Sequence, residues 1–227
     1  MCGRYNIIPD AEAWVAAFSL LETVDQEITN LIPNYNVAPT QDVPIIRNNR
    51  ETGDRELELV HWGLVPFWAK DKTIGNRMIN ARAESVAEKP AFRASFRKRH
   101  CLIPANGFYE WKITESGKQP MHIRMKDELP FAFAGLWESW HSPDNVEMHS
   151  CTIITTQANA FMTRIHNRMP VILDANDYNR WLDPKDGSGK DLLRPCPDKW
   201  LEANPVSTYV NNPRNNDFTC IERVSME

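Results

Sequence analysis

What this 227-residue chain lacks narrows it first. It contains no Cys-x-x-Cys pair, its five cysteines are an odd number, and its N-terminus carries no apolar secretory core. Reduced thiols in a cytoplasmic protein fit that pattern better than a disulfide framework. No stretch approaches the roughly 18 apolar residues that a membrane-spanning helix requires. There is no Gly-rich phosphate loop of Walker or dinucleotide-binding type. The close His/Cys neighbours, His100-Cys101 and His149-Ser150-Cys151, lack zinc-finger spacing, and adjacent strand positions face opposite sides. Neither a metal nor an organic cofactor is therefore expected. The formal net charge is −4 and no block of five basic residues occurs, so nucleic acid could be held only by a local basic groove. Without internal repeats, low-complexity tracts or a Ser/Gly linker, residues 1–227 read as a single domain.

What the chain does contain is a 42% hydrophobic composition, enough for a proper core, with eight Trp and 16 Pro clustered in connecting segments. Asp10 is placed to cap a helix whose stripe is Ala11, Trp14, Val15, Phe18 and Leu21. Strands are predicted at Val43 to Arg47, Arg55 to Trp62, His100 to Pro104, Gly107 to Ile113, Met121 to Met125, Phe131 to Leu136, His149 to Thr156 and Pro205 to Val210. Helices are predicted around Pro90 to Lys98, Gln157 to Ile165 and Asp174 to Trp181, and a long loop over Gly63 to Asn80. The class is α+β: a domain of mostly antiparallel sheets with short helices.

Position 2 carries the most distinctive chemistry. Removal of Met1 leaves Cys2 as a free 1,2-aminothiol, its amine with a reference pKa of about 7.7–8.0 and its thiol about 8.5. An amine condenses with an aldehyde to an imine, and a thiol one carbon away closes on it as a thiazolidine. The same terminus could instead attack an amide carbonyl with its own amine as base. A small residue opening a strand is the plain alternative.

Four further segments look like sites. Asn34 to Thr40 is predicted as a rigid loop, because Pro39 holds Ala38 extended. Trp62 to Trp68 and Asn80 to Glu84 combine aromatics with Arg and Asn, which suits base stacking and phosphate gripping, although taken alone a core Trp next to a surface ion pair such as Arg82 with Glu84 is the better account. On a strand, Phe108 and Glu110 share one face and Tyr109 and Trp111 the other. A carboxylate against aromatics has a raised pKa suited to general acid or base work, unless it is merely satisfied at a sheet edge. In His166-Asn167-Arg168-Met169-Pro170, a histidine two positions before an arginine could pair proton transfer with anion binding, or be a core or capping histidine.

Together these motifs resemble the SOS response-associated peptidase (SRAP) family. The match is Cys2-Gly3-Arg4-Tyr5, Asn36-Val37-Ala38-Pro39, Trp62-Gly63-Leu64-Val65-Pro66-Trp68 read across Phe67, Asn80-Ala81-Arg82-Ala83-Glu84, Gly107-Phe108-Tyr109-Glu110-Trp111 and His166 to Pro170, echoed by Pro205-Val206-Ser207, Val210 and Asn211. The resemblance implies a barrel-like arrangement of coiled sheets with peripheral helices, and covalent capture of abasic sites in single-stranded DNA through Cys2. It implies catalytic roles for Cys2, Asn80, Glu110 and His166. Arg4, Arg82 and Arg168 would contact phosphates, with Thr155 a weaker candidate; Pro39 and Trp111 would wedge the stack, and Trp68 would extend the DNA surface. A monomer at the nucleoid, with replication-associated partners, self-processing peptidase activity and a lyase side reaction, is the accompanying expectation. A thiol hydrolase acting on a peptide or amide, and a non-catalytic single-strand binder, are the alternatives. Met-Cys-Gly also opens amidotransferases of the N-terminal nucleophile type, but nothing else here resembles them.

Overall fold

Strands make up most of the regular secondary structure among the described residues. The computed structural model describes residues 2–21, 25–49, 51–183 and 189–225. Met1, and Arg50 between the strands predicted at Val43 to Arg47 and Arg55 to Trp62, lie outside the described residues. The strands are β1 (Tyr5–Ile7), β2 (Asn34–Val37), β3 (Asp42–Asn48), β4 (Arg55–Trp62), β5 (Asn80–Arg82), β6 (His100–Ala105), β7 (Gly107–Thr114), β8 (Gly117–Met125), β9 (Phe131–His141), β10 (Glu147–Gln157), β11 (Arg168–Pro170) and β12 (Leu201–Pro205). Short helices α1 (Ala11–Phe18), α2 (Asp25–Thr29), α3 (Arg93–Lys98) and α4 (Tyr178–Leu182) accompany them.

Strands β10, β4, β3, β6 and β9 follow one another, and β9 pairs back onto β10 from Gly135↔Ile153 to His141↔Glu147, closing a five-stranded barrel. Closure leaves these strands without the exposed edges that invite association. A second, fully antiparallel sheet runs β12-β8-β7-β1-β2. The two sheets share an aromatic core: the Tyr5 ring stands edge-on to Trp62 (5.2 Å) and to Phe133 (5.7 Å), and Phe108 meets Phe133 at 6.0 Å. Fully burying a large apolar side chain of this kind contributes about 1.5–3 kcal/mol, so this junction joins the sheets into one body. Strand β10 is the hinge of the layout. Its far half pairs in parallel with β5, Thr155 opposite Arg82, and on its other side with β11, Gln157 opposite Arg168.

Local chemistry explains most element ends. The Asp10 side chain accepts from the Ala13 N–H (2.8 Å) and Ser19, at φ 48°, ends α1. Trp14 and Phe18 are buried, but Leu21 lies beyond the helix and is 49% exposed, so the expected stripe stops at Phe18. Residues 34–37 form a strand rather than a loop, and the turn comes at Ala38–Gln41, with Thr40 at φ 73°. The segment predicted as helix from Gln157 is the end of β10 followed by a 3₁₀ turn at Met162–Arg164, capped by the Asn159 side chain on the Met162 N–H. The final strand ends at Pro205, and Thr208–Asn211 is a 3₁₀ turn because Ser207 caps it by accepting from the Tyr209 N–H. In the predicted long loop, Lys72–Arg77 is a 3₁₀ helix, and Gly75 passes Gly63 so closely that a Cβ on Gly75 would lie 2.4 Å from the Gly63 oxygen. Gly63 itself sits at φ +143°, so both positions need glycine.

Candidate active site and nucleic-acid interface

Cys2 lies just before β1 and is fully buried. Its carbonyl accepts a hydrogen bond from Asn80 Nδ2 at 2.8 Å. Asn80 is fixed in turn: it opens β5 against Ile153, and the preceding Ile79 carbonyl is held by the Trp62 indole N–H at 2.9 Å. Its Oδ1 is buried without a hydrogen-bond partner among the described residues, an acceptor left over beside the chain terminus.

Glu110 comes from β7, on the face of Phe108 as the alternation required, and is only 4% exposed. Burial raises its carboxyl above the usual range, with the nearby His166 pulling the other way. His166 Nε2 stands 4.0 Å from Glu110 Oε2. The Arg168 N–H donates to His166 Nδ1 at 3.0 Å, which leaves the neutral ring carrying its proton on Nε2, toward Glu110. If the ring is protonated, Nδ1 can donate to the Arg168 carbonyl at the same distance. Burial pushes the Cys2 thiol well above its ordinary value, and the charge of Glu110 adds to the effect. Cys2, Asn80, Glu110 and His166 thus form one connected cluster.

A cationic face adjoins it. Arg168 lays its fork on both Glu84 oxygens (2.6 and 3.1 Å) and donates to the Thr155 carbonyl at 2.7 Å, holding the Glu84 carboxyl below the usual range. The expected Arg82–Glu84 pair is not found; Glu84 belongs to Arg168, and Arg82 is exposed on β5. Thr155 is fully buried, its hydroxyl turned to the Ala81 carbonyl at 3.4 Å. Arg4 Nη1 donates to Asn36 Oδ1 and to the Val210 carbonyl, both at 2.8 Å, and its guanidinium lies 5.9 Å from the Trp111 ring centroid. The Trp111 indole donates to Asn211 Oδ1 at 2.7 Å. Pro39 is half-buried in the turn after β2, which is tied to β4 by the Thr40 N–H on the Trp62 carbonyl. Trp68 is 48% exposed on a separate turn, its indole 3.5 Å from the Pro90 carbonyl.

Sequence reasoning missed Asn36 as a residue with a task. Fully buried, it accepts from Arg4 and donates from Nδ2 to the carbonyls of Val210 (3.2 Å), Asn212 (3.0 Å) and Asn215 (2.8 Å). It straps the C-terminal segment across β1 and β2. The signal was present only as an Asn at alternating register in a stretch read as a turn.

A family model described as SOS response associated peptidase (SRAP) matches residues 1–213. The chain belongs to that family. The SRAP chain is 44% identical over 228 residues to Abasic site processing protein YoaM of Bacillus subtilis (strain 168), covering 98% of each. It is 42% identical to Abasic site processing protein YoqW of the same organism over 226 residues, 98% of this chain and 99% of the other. Abasic site processing protein HMCES of Xenopus tropicalis is 32% identical over 222 residues, 85% of this SRAP chain and 66% of that one. Among solved structures, a Bacteroides thetaiotaomicron protein superposes with a TM-score of 0.86 at 28% identity, covering 99% of this chain and 100% of that one. Among the described residues, no helix of this SRAP protein is long and apolar enough to cross a membrane.

Proposed function

We propose that this protein captures abasic sites in single-stranded DNA as a covalent thiazolidine on Cys2, once Met1 has been removed. The observation that carries the proposal is the Cys2 main chain pinned by Asn80 beside the buried Glu110 and the half-buried His166. The names of the relatives, all abasic site processing proteins, support the choice of substrate.

The Cys2 amine attacks the aldehyde of the ring-opened sugar. The carbinolamine then loses water, and its leaving hydroxyl needs a proton. Glu110, its carboxyl raised by burial, supplies that proton and takes up the one shed by the amine. His166, presenting Nε2–H, assists opening of the sugar ring. The thiol finally adds across the C=N bond, carbon–sulfur bond formation being matched by delivery of the thiol proton to nitrogen. A thiol with a raised pKa suits chemistry in which the amine leads and sulfur follows. A thiol hydrolase needs the opposite, a depressed pKa that makes the thiolate attack first.

Arg4, Arg82 and Arg168 hold phosphates flanking the lesion, and Pro39 and Trp111 part the neighbouring bases. Trp68 extends the stacking surface and Thr155 backs Arg168. The protein acts as a monomer, without metal or cofactor, and its thiol capture competes with strand cleavage by β-elimination from the imine. Any peptidase action the chemistry requires is the one that makes Cys2 the N-terminal residue.

Intact mass of the purified protein before and after incubation with abasic single-stranded DNA tests this directly. The expected result is loss of Met1 followed by a denaturation-resistant adduct that Cys2→Ala abolishes. Absence of the adduct from protein shown to start at Cys2 would sink the proposal.

A further inference from the structure

Val210-Asn211 is the last of the matched motifs, and the capture chemistry gives Asn211 no task. The residue closes the 3₁₀ turn Thr208–Asn211 and is exposed, so the core gains nothing from its side chain. Yet the backbone on both sides of it is held. The Val210 carbonyl accepts from Arg4 Nη1 (2.8 Å) and Asn36 Nδ2 (3.2 Å), and the Asn212 carbonyl accepts from Asn36 Nδ2 at 3.0 Å. Farther back, the Val206 N–H donates to the Pro120 carbonyl (3.0 Å) and the Val206 carbonyl accepts from Gln119 Nε2 (2.8 Å). Pro120 is the β8 residue opposite Trp111. Position 211 is thus fixed relative to position 111 from two directions.

The two side chains meet there. The Trp111 indole N–H donates to Asn211 Oδ1 at 2.7 Å. An indole N–H can only donate, so the oxygen is the end of the amide that faces it. Little else determines the plane of the ring. Trp111 is half-buried, packed against the small core of Tyr109, Val206, Val210 and Cys220. The Arg4 guanidinium stands over it at 5.9 Å from the centroid, near the limit for such a contact. A tryptophan χ2 has broad wells, so packing on one side leaves the ring free to turn. The hydrogen bond removes that freedom, because turning the ring over carries Nε1 away from Asn211.

We propose that Asn211 is a positioning residue, its amide oxygen fixing the plane of the Trp111 indole against which a base beside the abasic site stacks. The inference rests on the reading of Trp111 as a wedge given above. It places the effect in binding. Base stacking on an aromatic ring is worth roughly fivefold to a hundredfold in affinity, and a ring that must first be ordered forfeits part of it. An exposed hydrogen bond adds little to the fold itself.

The test uses a single strand carrying a tetrahydrofuran abasic analogue, which has no aldehyde and cannot be captured, next to 2-aminopurine. Asn211→Ala should keep the wild-type circular dichroism spectrum, bind this strand at least fivefold more weakly, and lose most of the 2-aminopurine fluorescence change that wild type gives at saturation. Asn211→Asp keeps an acceptor at the indole and should keep that change at saturation; it also serves if Asn211→Ala does not fold. In a Trp111→Phe background, which lacks the N–H, adding Asn211→Ala should alter binding by less than twofold. On a true abasic strand, Asn211→Ala should need at least fivefold more DNA to reach half its limiting rate of adduct formation, with that limiting rate within twofold of wild type. Wild-type binding by Asn211→Ala, an equal loss in the Trp111→Phe background, or a lower limiting rate at unchanged half-saturation overturns the assignment. Wild-type binding and fluorescence change in Trp111→Ala would instead overturn the wedge. Absence of adduct from wild-type protein beginning at Cys2 would overturn the capture chemistry, with the analogue measurements still deciding the role of Asn211.

Discussion

Replacing Asn36 by Ala removes four hydrogen bonds at one buried position: one accepted from Arg4 and three donated to the carbonyls of residues 210, 212 and 215. Each partner keeps another contact. Arg4 Nη1 still reaches Val210, the Asn212 carbonyl still accepts from the Asn215 N–H, and the Asn215 carbonyl keeps the Cys220 thiol. The two hydrogens of Nδ2 share three acceptors, so the cost is about three ordinary bonds rather than stranded groups, about 2–4 kcal/mol at roughly 0.5–1.5 kcal/mol per bond. For a protein of this size each kcal/mol lowers the melting temperature by about 2–4 °C, so Asn36→Ala should melt roughly 4–16 °C below wild type. Asn36→Asp separates two explanations. It adds an ion pair with Arg4 but turns a carboxylate toward three carbonyl oxygens, so it should be at least as destabilising as Ala. Calorimetry of the three proteins, with hydrogen exchange over residues 208–220, reads both effects. A drop of less than about 2 °C in Asn36→Ala, or wild-type stability in Asn36→Asp, would refute the clamp.

Glu110→Gln should slow adduct formation by about a hundredfold or more while leaving affinity for intact single strands unchanged; equal losses in both assays would make Glu110 structural. Stability should also fall on acidification. Burial pushes His122 down to about 3, with Arg124 adding, and His100 down to about 4 against the pull of the Trp181 and Phe96 carbonyls. Because both lie below the unfolded value of about 6.5, the unfolded chain binds more protons as pH drops through 6.5, and stability present at neutrality is lost toward pH 4 and then 3. Unfolding free energies from urea titrations at pH 7 and 5 should differ by on the order of 2 kcal/mol per histidine, and a flat profile would contradict the assignment. Glu84→Gln should change stability by less than about 1 kcal/mol, because the carboxylate is half-exposed and Arg168 keeps the Thr155 carbonyl. It should bind intact single-stranded DNA more tightly, with a steeper salt dependence; weaker binding would mean that Glu84 orients Arg168 productively.

Much of the scaffold was legible because strands announce themselves by composition and alternation. The strands starting at Arg55, His100, Gly107 and Phe131 begin where expected, and Glu110 faces the core with Phe108 as period two demands. What escaped was set at long range. Asn34–Val37 is a strand only because β1 lies beside it, and Gln157 prolongs β10 because Arg168 pairs with it. Neither fact has a local signature. The same holds in the cluster: the chemistry of Cys2, Glu110 and His166 could be argued from residue type, whereas the choice of Arg168 over Arg82 as partner of Glu84 depends on how β5 and β11 flank β10.

The strap also fixes an order of events in the life of the chain. Arg4 reaches Val210 across 206 positions, so this tie on the start of the chain cannot form until the last part of the protein has been synthesised. While that segment is still in the ribosome's exit channel, the start of the chain remains open to processing enzymes. In the finished fold Cys2 is fully buried. On the proposed chemistry, methionine excision should precede this burial, and protein refolded with Met1 still attached should resist later trimming by an added aminopeptidase.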